Sequence, residues 1–217
     1  MTPAQIETAA RRKYNSANSS FYSSSEIYDL IYQAELEIAR ETRMLEGYTT
    51  TTSTQGDQTY SFPSGVLEIR RLEYNGAKLQ RIDMREDDAI TLLNSDSTEQ
   101  GTPRYYFVWD NTIYLRPLPS ASAVTIKIWY YKEPAAVTSA SQTLEVPALF
   151  HMCIVDFVTA ELAAKDQQFD IASYYRDIWY SKHLPSMQKW VSKRKVDDAF
   201  KVVKDESNMV GTVLRTI

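Results

Sequence analysis

The sequence predicts an α+β protein in which a helical bundle, drawn from both chain ends, carries an inserted small antiparallel β-sandwich or barrel. Apolar residues recur at helical spacing in residues 1–48 and again in residues 141–204. Between them, residues 49–140 hold short β-branched and aromatic runs separated by Pro and Gly, a pattern typical of antiparallel strands. Residues 205–217 lack a helical period and are predicted to form an extended C-terminal arm.

The first helix is predicted from its start signals. Thr2 followed by Pro3 is typical of an N-cap residue and the first helical position, where the N–H that proline lacks has no helical partner in any case. This helix is expected to end near Lys13, and the Ser- and Asn-rich stretch 15–25 predicts a loop.

A second helix is predicted after this loop. Ser24 or Ser25 is expected to cap it, with Glu26 in the first turn, where a negative charge interacts favourably with the helix dipole. Gly47 is expected to end it as the C′ residue. Helical spacing predicts a buried face made of Ile27, Leu30, Ile31, Ala34 and Ile38. An adjoining face is expected to carry Tyr28, Tyr32 and Glu35.

The middle of the chain is predicted to form short strands. Residues 66–74 have strand composition and end at Asn75-Gly76, a strong hairpin signal. Asp110-Asn111 is expected to form a second tight turn, and residues 85–93 a short helix at the sheet edge. Further strands are predicted at residues 105–109, 112–116 and 124–131. In the last of these, alternation places on the buried face Val124, Ile126, Ile128 and Tyr130.

Two more helices are predicted near the C-terminus, the first beginning at Pro147. Its buried face is expected to consist of Phe150, Cys153, Ile154, Phe157, Val158 and Leu162. The second should run from about Asp170 to Lys182 and pack through Tyr174, Tyr175, Ile178 and Trp179. Leu184-Pro185 should break or kink it, and the apolar pattern then resumes at Met187, Trp190 and Val191.

Composition excludes several classes of protein. The net charge of −4 does not indicate bulk coating of nucleic acid, and the single cysteine, Cys153, permits no internal disulfide. The N-terminus has no apolar stretch of a secretory signal, and no run approaches the roughly 18 apolar residues of a membrane span, so we expect a soluble protein. The 15 tyrosines and 4 tryptophans suit half-buried interfaces, although tyrosines also decorate ordinary strands.

The sequence holds no signature of catalysis or cofactor binding, and we expect no enzyme activity, no metal and no cofactor. His151 and Cys153 stand two residues apart, a spacing at which helical side chains diverge, and Cys153 lies on the predicted apolar face. The acidic residues Asp83, Glu86, Asp87 and Asp88 lack the turn and spacing of a calcium loop, so a solvated face is the better interpretation.

One basic segment leaves alternatives open. Residues 182–204 hold seven basic residues against two acidic ones, a net charge of +5. Such a run can be a solvated helix face, a docking surface for an acidic protein or a contact with a phosphate backbone. Trp190 and Phe200 within it slightly favour a protein interface, because apolar anchors add little to duplex binding.

Ordered landmarks along residues 20–183 resemble a known family. They are Ser25–Ile38, Tyr60-Ser-Phe-Pro63, Leu67–Leu72 with Asn75-Gly76, Gly101-Thr-Pro103-Arg-Tyr105, Ile113–Pro119, Val124–Tyr131, Leu144-Glu-Val-Pro147 and Tyr174–Tyr180. Their order and spacing resemble those of tailed-phage head-to-tail adaptors, and are similar to the adaptors of short-tailed phages related to the T7-type tail tubular ring protein.

The resemblance implies a structural virion protein at the head–tail junction, assembled in the host cytoplasm. It implies a closed homo-oligomeric ring of about twelve copies. That ring would dock on the portal protein, extend the DNA channel and provide the attachment surface for tail nozzle and tail-fibre proteins. Genomic DNA would pass through it without sequence-specific binding, and no membrane is involved.

The resemblance also implies that the C-terminal region reaches the portal or a neighbouring subunit. The residues expected to bind a partner are therefore Lys189, Trp190, Lys193, Arg194, Lys195, Phe200, Val213, Leu214 and Ile217. The alternative is a nucleic-acid-binding module that uses the basic Lys182–Lys204 segment.

Overall fold

The computed structural model describes residues 1–15, 21–87 and 99–194. It divides into two compact units, Met1–Met44 with the described residues from Pro134 onward, and Leu45–Glu133. The first unit is helical and the second consists mainly of antiparallel strands, which confirms the predicted α+β class.

The described part of the helical unit contains four long α-helices and a further α-helical segment, joined by loops and shorter helical turns. The four long helices are α1 (Pro3–Lys13), α2 (Ser24–Thr42), α3 (His151–Lys165) and α4 (Phe169–Ile178). A 3₁₀ turn (Ala148–Phe150) precedes α3, and a π-helical turn (Trp179–His183) follows α4. Residues 184–194 are again α-helical.

The start of α1 confirms its prediction. The Thr2 hydroxyl oxygen accepts the Gln5 N–H at 3.4 Å, and the Gln5 side chain accepts the Thr2 N–H at 2.9 Å, which satisfies two N–H groups that the helix leaves unpaired. Pro3 occupies the first turn and α1 ends at Lys13, as predicted.

The predicted ends of α2 are wrong in detail. Ser23, one residue before the predicted caps, accepts the Glu26 N–H at 3.2 Å. The helix stops at Thr42 because Arg43 adopts a left-handed conformation with φ of 52°, a role usually taken by glycine. Gly47 instead lies in the first strand, where an added Cβ would stand 3.2 Å from the Tyr130 ring.

Helix α3 lies at the centre of the helical unit and contacts α1, α2 and α4. Its predicted face is buried at Ile154, Val158 and Leu162, and Val155 and Ala163 on other sides are buried as well. A helix that is apolar on nearly all sides must be surrounded by other elements. Helix α2 supplies a buried stripe at Ile27, Ile31, Ala34 and Ile38, as predicted, with Leu30 half-buried.

The break predicted at Leu184-Pro185 does not occur. The chain passes from α4 through the π turn, in which the Leu184 N–H donates to the Trp179 carbonyl, and continues as helix to residue 194. A π turn holds one residue more than an α turn. The buried stripe accordingly takes a five-residue step here, and its members are Ala172, Trp179, Leu184, Met187 and Val191.

The β unit is built from ten strands in the described residues. They are β1 (Glu46–Thr52), β2 (Thr59–Ser61), β3 (Val66–Tyr74), β4 (Ala77–Lys78), β5 (Gln80–Arg81), β6 (Gln100–Gly101), β7 (Tyr105–Trp109), β8 (Thr112–Arg116), β9 (Leu118–Pro119) and β10 (Thr125–Lys132). The first sheet has the order β1-β10-β3-β4 and the second β2-β8-β7-β5, while β6 and β9 form a short parallel pair.

Strand predictions hold where turn residues set the register. Asn75-Gly76 joins β3 to β4 with Tyr74 opposite Ala77, and Asp110-Asn111 joins β7 to β8, whose bounds match the prediction. The alternation predicted for β10 fails near its end, because the register against β3 shifts between Trp129 and Tyr130. Tyr131 is therefore buried, and Tyr130 only half-buried. Of the helix predicted at 85–93, residues 84–87 are helical and 88–93 lie outside the described residues.

The β unit has an apolar core of its own. Its fully buried members come from three strands and include Leu72, Ile113, Leu115, Ile126 and Ile128.

Glu35 is a buried titratable residue within the helical unit. Its side chain was expected on a face adjoining the buried stripe, but it is only 1% exposed. One carboxylate oxygen accepts the N–H groups of Glu145 and Val146, both at 3.0 Å, and so ties α2 to the segment before α3. Burial raises the pKa of Glu35 above its ordinary value, and the two backbone hydrogen bonds lower it by less.

We expect Glu35→Gln and Glu35→Ala to differ in their effect on the free energy of unfolding. Because the folded-state pKa is raised, Glu35 favours folding most below its unfolded-state pKa, and this contribution is lost as the pH rises through the folded-state value. Gln keeps an oxygen that accepts the two backbone N–H groups but cannot ionise. It should therefore make the free energy of unfolding less dependent on pH and retain stability at pH 8. Ala leaves two N–H groups unpaired and should cost roughly 2–4 kcal/mol.

Urea denaturation at pH 5 and pH 8 measures both effects. Glu41→Gln, at an exposed position of the same helix, controls for the loss of one carboxylate. If the free energy of unfolding of Glu35→Gln depended on pH as in the unmodified chain, the raised folded-state pKa of Glu35 would be contradicted.

Candidate partner-binding surfaces

Within the described residues, both histidines make structural contacts and the single cysteine is half-buried. Asp156 accepts a hydrogen bond from His183 at 2.9 Å and pairs with Lys13 through its other oxygen. Burial raises the pKa of Cys153 to about 11, so its thiol stays protonated and unreactive at neutral pH. His151 is buried with its Nε2 2.8 Å from the Val146 carbonyl oxygen, and burial lowers its pKa.

The described ranges contain no group of three or more His, Cys, Asp or Glu side chains placed to hold a metal ion. None of the helices in those ranges combines the length and the apolar character needed to cross a bilayer.

The acidic cluster is only partly the solvated face that was predicted. Asp83 and Glu86 are exposed and cap the 84–87 turn reciprocally, each accepting the other's N–H at 2.8 and 3.0 Å. Asp87 is instead buried and accepts two hydrogen bonds from Arg116, at 2.7 and 3.1 Å. The solvated interpretation is wrong for Asp87, because strand β8 brings a guanidinium to it from a distant part of the sequence. Asp88 lies outside the described residues.

The residues predicted to bind a partner fall into two groups. Lys189, Lys193 and Arg194 are exposed on the 184–194 helix, and Trp190 beside them is half-buried. Outside the described residues lie Lys195, Phe200, Val213, Leu214 and Ile217.

Trp190 contributes to packing within the chain. Its ring meets the buried Phe150 edge to face, with centroids 5.5 Å apart and an angle of 85° between the planes. The Arg194 guanidinium lies 5.1 Å from the Trp190 ring centroid, in a cation–π contact. Trp190 thus packs the 184–194 helix against the 3₁₀ turn that precedes α3. The cations around it are exposed to solvent and accessible to a partner.

A second candidate surface is the exposed side of α4 and of the π turn after it, which carries Phe169, Ile171, Tyr174 and Tyr180 and is called here the outer aromatic surface. Phe169 is 67% exposed, Tyr174 61% and Tyr180 59%. Two acidic residues, Asp170 and Asp177, are exposed among them. Large exposed aromatic side chains on neighbouring helical turns are typical of protein–protein interfaces.

Sequence reasoning placed Tyr174 in the packing face of α4, and this is wrong. The helix packs through Ala172 and Trp179, with Tyr175 and Ile178 half-buried. Ala172, Tyr175 and Trp179 follow helical spacing in the sequence, and this signal could have identified the buried face. Sequence reasoning did not single out Phe169, Ile171 or Tyr180, which are exposed because they lie off this face.

Comparison with known proteins identifies the family. Residues 1–187 match the family model described as SU10 adaptor protein, so the chain belongs to the SU10 adaptor protein family. No curated protein gives a significant match to the sequence. Membership confirms the predicted phage adaptor class and gives the protein a structural role at the head–tail junction of a virion. The match ends before Lys189, so every residue predicted to bind a partner lies beyond it.

The packing of Trp190 gives a direct prediction. Trp190→Ala should lower the free energy of unfolding by roughly 1–3 kcal/mol, because it removes a half-buried aromatic contact with Phe150. Lys189→Ala, at the exposed neighbouring position, should change it by less than about 0.5 kcal/mol. Urea denaturation followed by tryptophan fluorescence and by circular dichroism measures both. Equal stability of the two variants would contradict a packing role for Trp190 and would favour a role in binding a partner.

Proposed function

We propose that the protein is a subunit of a head-to-tail adaptor ring of the short-tailed-phage type. The ring docks on the portal protein, extends the DNA channel and provides the attachment surface for tail nozzle and tail-fibre proteins. The observation that carries the proposal is the family match over residues 1–187. The ring contains about twelve copies, as the resemblance implies. It assembles in the host cytoplasm, and DNA passes through it without sequence-specific contacts.

The proposal includes an organisation of the chain. Residues 1–48 and 141–204 act as a helical bundle, residues 49–140 as an inserted β-sandwich or barrel, and residues 205–217 as an extended arm. Separate apolar cores around α3 and within the β strands support this division.

A ring subunit needs two different surfaces that close on rotation. The outer aromatic surface supplies the chemistry for one, because Phe169, Tyr174 and Tyr180 bury large areas with few rotatable bonds. The exposed cations Lys189 and Lys193 offer a surface of opposite character. The net charge of −4 suits a protein beside a DNA channel, since it disfavours non-specific attachment to phosphates.

Assembly with portal rings tests the function. We expect the full chain, mixed with portal protein of the same phage, to co-sediment and to add a ring in negative-stain images. Phe169→Ser with Tyr174→Ser should weaken this assembly at least about tenfold, because exposed aromatic anchors dominate interface energies. Met152→Ser, also at an exposed position, is the control. A chain that remains monomeric and does not bind portal rings would contradict the proposal.

The exposed cations of the 184–194 helix favour nucleic-acid binding as a second candidate function. Lys189, Lys193 and Arg194 point away from the core on one helix, an arrangement that phosphate contacts require. That function predicts duplex binding which weakens steeply with salt and is lost on neutralising Lys193, Arg194 and Lys195. Unchanged duplex binding after neutralisation would exclude it.

We expect deletion of residues 205–217 to leave the fold intact but to weaken ring or portal assembly. The physical reason is that these residues include apolar side chains but no helical period of their own. Circular dichroism should give the melting temperature of the full chain, while sedimentation with portal rings should fall. Full assembly after the deletion would show that the arm has no role in it.

A further inference from the structure

The β unit contains a groove beside strand β3. Strand β4 pairs with β3 only at Glu73 and Tyr74, after which the chain leaves the first sheet and β5 pairs with β7 in the second. This divergence opens a groove of about 590 Å³ between residues 68–71 and residues 78–81. Tyr106 and Tyr131 complete its lining. We call it the β3 groove.

The floor of the β3 groove is apolar. Ile69, Leu79 and Tyr106 line it and are each buried in the β unit. Apolar side chains that line a groove favour an occupant that inserts an apolar side chain of its own.

The rim of the β3 groove is basic. It holds Arg70, Arg71, Lys78 and Arg81 against the single acidic residue Glu68. Arg70 pairs with Glu46, and Arg71 with Glu73, both at 2.7 Å. Lys78 and Arg81 are exposed and have no carboxylate partner in the part of the chain that the structure describes. Two cations on one wall of the groove therefore remain available to a ligand.

The backbone beside the groove is also available. Within the described residues, no strand pairs with residues 66–71 on the side of β3 that faces away from β10. Two register shifts make this edge irregular, so only a short stretch of a partner's main chain can pair with it. Side chains must supply most of the recognition.

We propose that the β3 groove binds an extended acidic polypeptide segment of a partner protein, with an apolar side chain on the floor and carboxylates beside Lys78 and Arg81. Alternating apolar and acidic residues match this site, because successive side chains of an extended segment point to opposite sides. The site extends the proposed function by naming the kind of partner segment that the β unit recognises.

The groove favours a polypeptide over a nucleic acid. A phosphate backbone gains affinity mainly from several cations acting together, whereas two of the four cations here are already paired with carboxylates. The apolar floor adds little to backbone binding, but it gives a peptide side chain a place to be buried.

The experiment uses the full chain and a fluorescein-labelled peptide of alternating glutamate and leucine. Fluorescence anisotropy should show saturable binding that weakens between low and moderate salt. Lys78→Glu with Arg81→Glu should reduce the affinity at least about tenfold, since the charges of the two exposed cations on the groove are reversed. Arg12→Glu with Arg40→Glu, at exposed positions of α1 and α2, changes the net charge equally on the helical unit and should leave binding within about twofold. Replacing leucine by serine in the peptide should also weaken binding.

Several results would overturn the proposal. They are absence of peptide binding, equal loss in the two double variants, and binding of a short DNA duplex, in place of the peptide, that requires Lys78 and Arg81. Matching circular dichroism spectra and melting temperatures establish that the variants are folded. Portal co-sedimentation is measured separately, so failure of the peptide site and failure of the adaptor function are distinguishable.

Discussion

The burial of helix α3 is the constraint on which the helical unit depends. Its apolar residues face nearly every direction, so the helix is stable only when other elements cover most of its sides. Helices α1 and α2 come from the beginning of the chain, and α4 follows α3 directly. The two ends of the sequence must therefore meet, and the β unit is necessarily an insertion between them. Glu35 reinforces this by holding the segment before α3 through two backbone N–H groups.

The π turn determines which side chains the helical unit leaves for partners. It adds one residue between Trp179 and Leu184, so that Ala172 and Trp179 share one buried stripe with Leu184, Met187 and Val191. Phe169, Tyr174 and Tyr180 lie off this stripe and stay exposed. The same helical stretch thus packs through one side and presents aromatic and basic residues on the others, which suits a subunit whose role is assembly.

Irregular pairing has a comparable effect in the β unit. Strand β3 carries two register shifts, and β4 covers only its last residues before the chain crosses to the second sheet. A regular and fully paired β3 would leave no space beside Ile69 and Leu79. The β3 groove follows from that interruption, and so does the position of Lys78 and Arg81, which have no carboxylate partner within the described residues.

The sequence by itself determined the features that neighbouring residues fix. Thr2 with Pro3 started α1, Asn75-Gly76 and Asp110-Asn111 set two hairpins, and ordered landmarks indicated the adaptor family that the match over residues 1–187 confirmed. Only the tertiary structure decided which face of α4 is buried, where β10 changes register, and that Asp87 meets Arg116. These outcomes depend on groups far apart in the chain, whose contacts outweigh local preference. Local pattern fixes where an element starts and turns, whereas packing against distant elements fixes which of its side chains remain on the surface.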